Sequence, residues 1–123
     1  MYKYYNPNPV GSNRVGDCAV RAISKALGIS WEDAFAKLAA NAYRMGDMPS
    51  SNNVIASVLR SSGFYRENLP DCPNCMTVSD FAYYNPVGTY VVGTGTHVVT
   101  IINGDYFDTW QSGDEPVLYV WMK

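Results

Sequence analysis

A chain of 123 residues with 47% hydrophobic and 16% charged residues has the composition of one globular domain, not of a disordered segment. At this length folding buries roughly two-thirds of the unfolded surface, enough for a core without metal or disulfide staples. The net charge of −2 argues against a sequence-independent nucleic-acid or anionic-membrane surface, and no apolar run reaches the ~18 residues of a membrane span.

Residues 1–16 carry Pro7, Pro9, Gly11 and Gly16 among asparagines and tyrosines, the composition of an irregular arm with a short edge strand at Tyr2–Tyr5. The arm lacks the apolar centre of a secretory signal, and three cysteines is a small, odd number. Both lead to the expectation of a cytoplasmic protein whose thiols serve packing or chemistry. From Cys18 the residues Val20, Ile23, Ala26 and Leu27 share one helical face, with Arg21 and Lys25 on the other and Gly28 as the stop. Ser30 caps a second helix, with Asp33 at the capping-box position and Trp31, Ala34, Phe35 and Leu38 as its stripe; it ends near Gly46. Ser50 or Ser51 caps a third helix with Val54, Ile55, Val58 and Leu59 inward, closed by Gly63.

"FYRENL" predicts a short strand, and "TVSDFAYYNP" a short helix that Pro86 ends. "GTYVVG", "THVVTII", "DYFDTW" and "PVLYVWMK" are β-branched and aromatic runs separated by turn residues, and predict four strands. Asn103-Gly104 is a strong hairpin signal. Helices first and strands afterwards define an α+β domain over 1–123, an N-terminal helical half packed on a C-terminal antiparallel sheet.

A two-residue turn at Asn103-Gly104 pairs Ile102 with Asp105. The register then sets His97 opposite Trp110 and Asp108 opposite Val99, with all four side chains on one face. His97, the only histidine, and Asp108 become diagonal neighbours within side-chain reach. An aspartate among Val99, Ile101, Tyr106 and Trp110 needs a partner, and a carboxylate on an imidazole fixes its tautomer and supports its charged form. Cys18, with Asp17 as N-cap, starts a helix whose positive end favours a thiolate, and a nearby imidazolium favours it further.

These residues carry a resemblance. A cysteine at the start of the first helix, a histidine on a later strand and a third polar residue on the next strand are similar to the papain-like cysteine peptidases. "DTW" at 108–110 resembles that family's Asn-x-Trp element, and "GDCAVRAI", "THVVTII" and "YFDTW" resemble small bacterial and phage members. The resemblance implies a papain-like fold, nucleophile Cys18, base His97, orienting residue Asp108, and Trp110 shielding the His97–Asp108 bond from water. It implies a peptide or protein substrate, an acyl-enzyme and no cofactor. The family's oxyanion-binding glutamine has no counterpart here, Ser12 standing in its place and Gln111 being the only Gln, so Asn13 takes the supporting role beside the Cys18 backbone N–H. The other expectations are no metal, no nucleic acid and no membrane, with the oligomeric state open.

Two competing readings stand beside this one. Cys72 and Cys75 in "CPNC" suit a redox or zinc module, although only half a metal-ligand set is visible. A papain-like fold without activity, serving as a binding protein, fits the absent glutamine.

Overall fold

The computed structural model describes residues 1–11, 14–69 and 76–123. Three helices come early: α1 (Cys18–Leu27), α2 (Trp31–Met45) and α3 (Asn52–Ser61). Most of these boundaries have a local cause. Gly28 and Gly46 adopt the left-handed conformation that ends α1 and α2, with φ of 66° and 67°, where a Cβ would be strained. Ser30 accepts from the Asp33 N–H at 3.1 Å to start α2, and Ser51 accepts from the Asn53 N–H at 3.3 Å to start α3. The short helix α4 (Val78–Tyr84) has a full capping box between Thr77 and Asp80.

Strands β1 (Tyr2–Tyr4), β2 (Tyr65–Asn68), β3 (Thr89–Gly93), β4 (Val98–Ile102), β5 (Asp105–Asp108) and β6 (Tyr119–Met122) form one sheet in the order β1-β5-β4-β3-β6-β2. The β4–β5 hairpin has the predicted register, Ile102 opposite Asp105 and Thr100 opposite Phe107. Asn103 and Gly104 turn it with φ of 50° and 83°, the paired positive values that match strand twist.

The architecture is α+β, with two corrections. The sheet is mixed, because β1 runs parallel to β5. β1 and β2, which precede the C-terminal run of strands, form its two edges, so helices and strands are less segregated than a helical half followed by a sheet. In addition, the sheet is covered on both faces. Val91, Val98 and Trp121 pack with α1, α2 and α3, whereas Val92, Val99, Ile101 and Val120 pack with α4. Adjacent strand residues thus serve opposite layers, as the two-residue period requires. The Tyr119 ring lies over Gly93, where any Cβ would collide with it. Among the described residues no helix is long and apolar enough to cross a membrane.

Candidate active site

Helix α1 delivers Cys18 as its first residue, half-buried, at the positive end of the helix. Packing of α1 on β4 is locked by Thr100, whose buried hydroxyl donates to the Ala22 carbonyl at 2.7 Å. His97 immediately precedes β4, and Asp108 is the last residue of β5. Both therefore lie at the same end of the hairpin, beyond its last pair.

His97 Nε2 and Asp108 Oδ2 are 2.6 Å apart, a charge-assisted bond of the short kind. His97 also hydrogen-bonds Cys18, and with Nε2 taken by Asp108 the nitrogen available for it is Nδ1. Burial pushes the Cys18 thiol up, but hydrogen bonding to His97 and to the Val98 N–H, with the charges of His97 and Arg21, holds it net below its ordinary value. For His97, burial acts against the charged ring, yet hydrogen bonds to Asp108 and Cys18 and their charges raise it to about 9. Burial likewise opposes the Asp108 charge and is outweighed by hydrogen bonds from His97 and Ser112, so its carboxyl lies below the usual range. The Trp110 ring tilts over His97 with centroids 5.1 Å apart and remains 44% exposed.

Three of the residues singled out by sequence, Cys18, His97 and Asp108, thus meet, with Trp110 against the imidazole. Asn13 lies outside the described residues, as do Cys72 and Cys75. Gln111 uses its side-chain oxygen within the loop after β5, accepting from Tyr106 and from the Gly113 N–H, each at 2.7 Å. Among the described residues no cluster of His, Cys, Asp or Glu could hold a metal ion.

The pair does not sit as the alternation rule predicts. Strict alternation carries His97 and Asp108 to the α4 face with Val99, Ile101 and Tyr106. Instead they meet Cys18 and Arg21 of α1, on the other side; both stand beyond the last β4–β5 pair, Thr100 with Phe107, although Asp108 still pairs with Tyr4 of β1. Asp17 differs too. It is the N-cap residue by position, but its side chain makes no capping bond and turns inward.

Two participants were not anticipated. Arg21, placed on the solvent face with Lys25, is 5% exposed. Its Nη1 donates to Asp17 at 2.7 Å and its Nη2 to Asp108 at 3.0 Å. The signal was present as an acid and an arginine four residues apart on one helix. Ser112, fully buried, donates to Asp108 Oδ2 at 2.6 Å, and nothing local in "QSGDE" marks it. With the Thr109 N–H at 2.8 Å, Asp108 has four donors and is completely enclosed. A buried carboxylate so held is fixed in orientation and remains charged.

A cavity of about 120 Å³ opens at Cys18 and His97, with Asn52, Thr94, Thr96 and Tyr119 in its wall. A groove of about 550 Å³ adjoins it through Ala19 and Ser50 and is mostly apolar, with Val10, Trp31, Phe35 and Met48 along it. Comparison with protein-family models, with curated proteins and with solved structures finds no significant match to this chain.

The opposed shifts of Cys18 and His97 make a testable pattern in stability. A His raised from ~6.5 to about 9 contributes stability that is complete below pH ~6.5 and lost as pH rises through about 9. A thiol lowered in the fold contributes stability that grows over the same interval and is complete above its unfolded value near 8.5. In wild type the two slopes oppose one another. Cys18→Ser removes one of them and leaves the part of the His97 shift that Asp108 supplies, so its unfolding free energy should fall by on the order of 2 kcal/mol between pH 6.5 and 9 while wild type stays flatter. Urea unfolding at four pH values reads this, and parallel curves would contradict the coupling.

Proposed function

We propose that this protein is a papain-like cysteine hydrolase, a peptidase or a related amide or thioester hydrolase, with a peptide or protein substrate in the cytoplasm. The observation that carries the reading is His97 fixed through Nε2 on a buried Asp108, with its other nitrogen directed to a cysteine at a helix N-terminus.

In this reading the Cys18 proton resides on His97 before substrate arrives. The thiolate attacks the substrate carbonyl carbon, forming an S–C bond and an oxyanion beside the Cys18 backbone N–H, which has no acceptor within its own helix. His97 gives its proton to the leaving nitrogen or sulfur as the C–N or C–S bond breaks. Water then adds to the thioester with His97 as base, and the acid product leaves with Cys18 restored. Asp108 orients the ring throughout, and Trp110 limits access of water to the His97–Asp108 bond. The groove beyond Ala19 gives the substrate's apolar side chains a place to lie.

The test is intact-mass analysis after incubation with an acyl fluoromethyl ketone bearing a phenylalanyl side chain. One adduct is expected, mapped to Cys18 and absent from Cys18→Ser and His97→Ala. A folded wild-type protein modified no faster at Cys18 than at Cys72 or Cys75 would overturn the reading. It would favour a papain-like binding protein without catalysis, the alternative that the engagement of Gln111 elsewhere supports.

A further inference from the structure

We propose that Asp17 and Arg21 are positioning residues for His97: Asp17 claims the Arg21 guanidinium and thereby leaves the charge of Asp108 to the imidazole. The inference rests on the reading of His97 as the partner of Cys18 and explains what keeps that partner charged.

The geometry is a buried relay. Arg21 bonds Asp17 Oδ1 at 2.7 Å and Asp108 Oδ1 at 3.0 Å, so its shorter contact is with the acid remote from His97. Asp17 cannot drift off, because its Oδ2 accepts from Trp31 Nε1 at 3.0 Å and from Asn8 Nδ2 at 3.3 Å. All three charged side chains are nearly inaccessible, at 6% for Asp17, 6% for Arg21 and 1% for Asp108. Two carboxylates against one guanidinium leave one buried negative charge. An unbalanced buried charge is costly, and a proton on His97 balances it. If Asp17 were neutral, Arg21 and Asp108 would form a balanced pair, and the imidazole would hold its proton far less tightly.

Of the other groups around His97, only Cys18 adds to this balance. On α1 stands Cys18, whose thiolate adds to the same demand for a proton. From β1, Tyr2 donates to the Asp108 carbonyl at 3.3 Å, and from β6, Tyr119 lines the cavity. Burial holds both phenols above their ordinary range, so they are neutral when His97 titrates. Arg66 lies over the Tyr119 ring at 4.1 Å, on an exposed edge strand. Ser112 is uncharged.

Because His97 is the only histidine, its imidazole resonances in a carbon–proton NMR spectrum need no assignment. The experiment is a pH titration of that signal in wild type, Asp17→Asn and Asp17→Ser, with folding checked by circular dichroism. Asp17→Asn keeps the shape and removes the charge, and Asp17→Ser is a second route to the same loss should the first not fold. The midpoint should fall by about one pH unit in either folded variant. An unchanged or raised midpoint would overturn the relay and leave Asp17 as packing alone. The midpoint is readable whether or not Cys18 reacts. An ordinary Cys18 reactivity with a shifted midpoint therefore contradicts the hydrolase, and a reactive Cys18 with an unmoved midpoint contradicts the relay.

Discussion

Arg21→Met is expected to destabilise the fold by about 3–5 kcal/mol, the cost of breaking a buried ion cluster by removing one partner. Methionine nearly fills the volume, so lost packing is a minor part. The loss comes from Asp17 and Asp108, both buried, which must then share a space with no cation except protonated His97. Domain stabilities are commonly about 5–15 kcal/mol, so the variant should stand near the edge of folding. Adding Asp17→Asn to Arg21→Met should recover part of the loss, because one orphaned charge disappears with it. Arg44→Met, at an exposed arginine bonded only to Asn41, should change stability by within about 0.5 kcal/mol. Urea unfolding at pH 6 measures all three. An Arg21→Met cost no larger than that of Arg44→Met would show the cluster to be energetically idle.

His97→Ala should slow iodoacetamide alkylation of Cys18 at pH 6 by about 10- to 100-fold. An ordinary thiol near pKa 8.5 is only about 0.3% ionised at that pH, whereas the hydrogen bond and charge of His97 lower the Cys18 thiol and raise its thiolate fraction. The drop is smaller than the full ionisation ratio for two reasons. A thiolate of lower pKa is intrinsically less nucleophilic, and the α1 N-terminus continues to favour the anion after His97 is gone. Asp108→Asn should slow the reaction less, since an amide still orients the ring. Peptide mapping after timed quenching gives rates for Cys18, Cys72 and Cys75 separately in each protein. Equal Cys18 rates in folded wild type and His97→Ala would make Cys18 a helix-start thiol with no partner.

Much of the frame was legible because it is locally specified. Ser30, Thr77, Gly28 and Gly46 declare helix ends through bonds or φ values that only a few residue types supply. Asn103-Gly104 fixes a two-residue turn, and with it the register that brings His97 and Asp108 to the same hairpin end. What the chain does not spell out locally is what long-range packing decides. The parallel β1–β5 pairing joins Tyr2 to Tyr106 across nearly the whole chain, and no short pattern encodes it. Alternation misassigned the face of His97 and Asp108, since the β4–β5 pairing that the rule was extended from stops at Thr100 and Phe107, short of both residues.

Arg21 shows the same limit in a charged residue. On a helical wheel an arginine beside Lys25 belongs to solvent, and Lys25 does lie over the Phe107 and Tyr5 rings near the surface. Arg21 is instead drawn inward by two acids, one near in sequence and one 87 residues away. The demand of Asp108 for more than one donor was deducible from its apolar surroundings, but the identity of Ser112 and Arg21 as donors was not. Asp17 looked like an N-cap because N-cap position and N-cap bonding usually coincide. Here the carboxylate has stronger partners in Arg21 and Trp31.

The most direct measurement of the central claim is the ionisation of Cys18 itself, followed by thiolate absorbance at 240 nm as the difference between wild type and Cys18→Ser across pH 4–10. The account predicts that Cys18 ionises below the ordinary thiol value near 8.5 and that the same titration in His97→Ala moves back toward it. A Cys18 that ionises at or above 8.5 in the folded wild-type protein would contradict the thiolate–imidazolium pair.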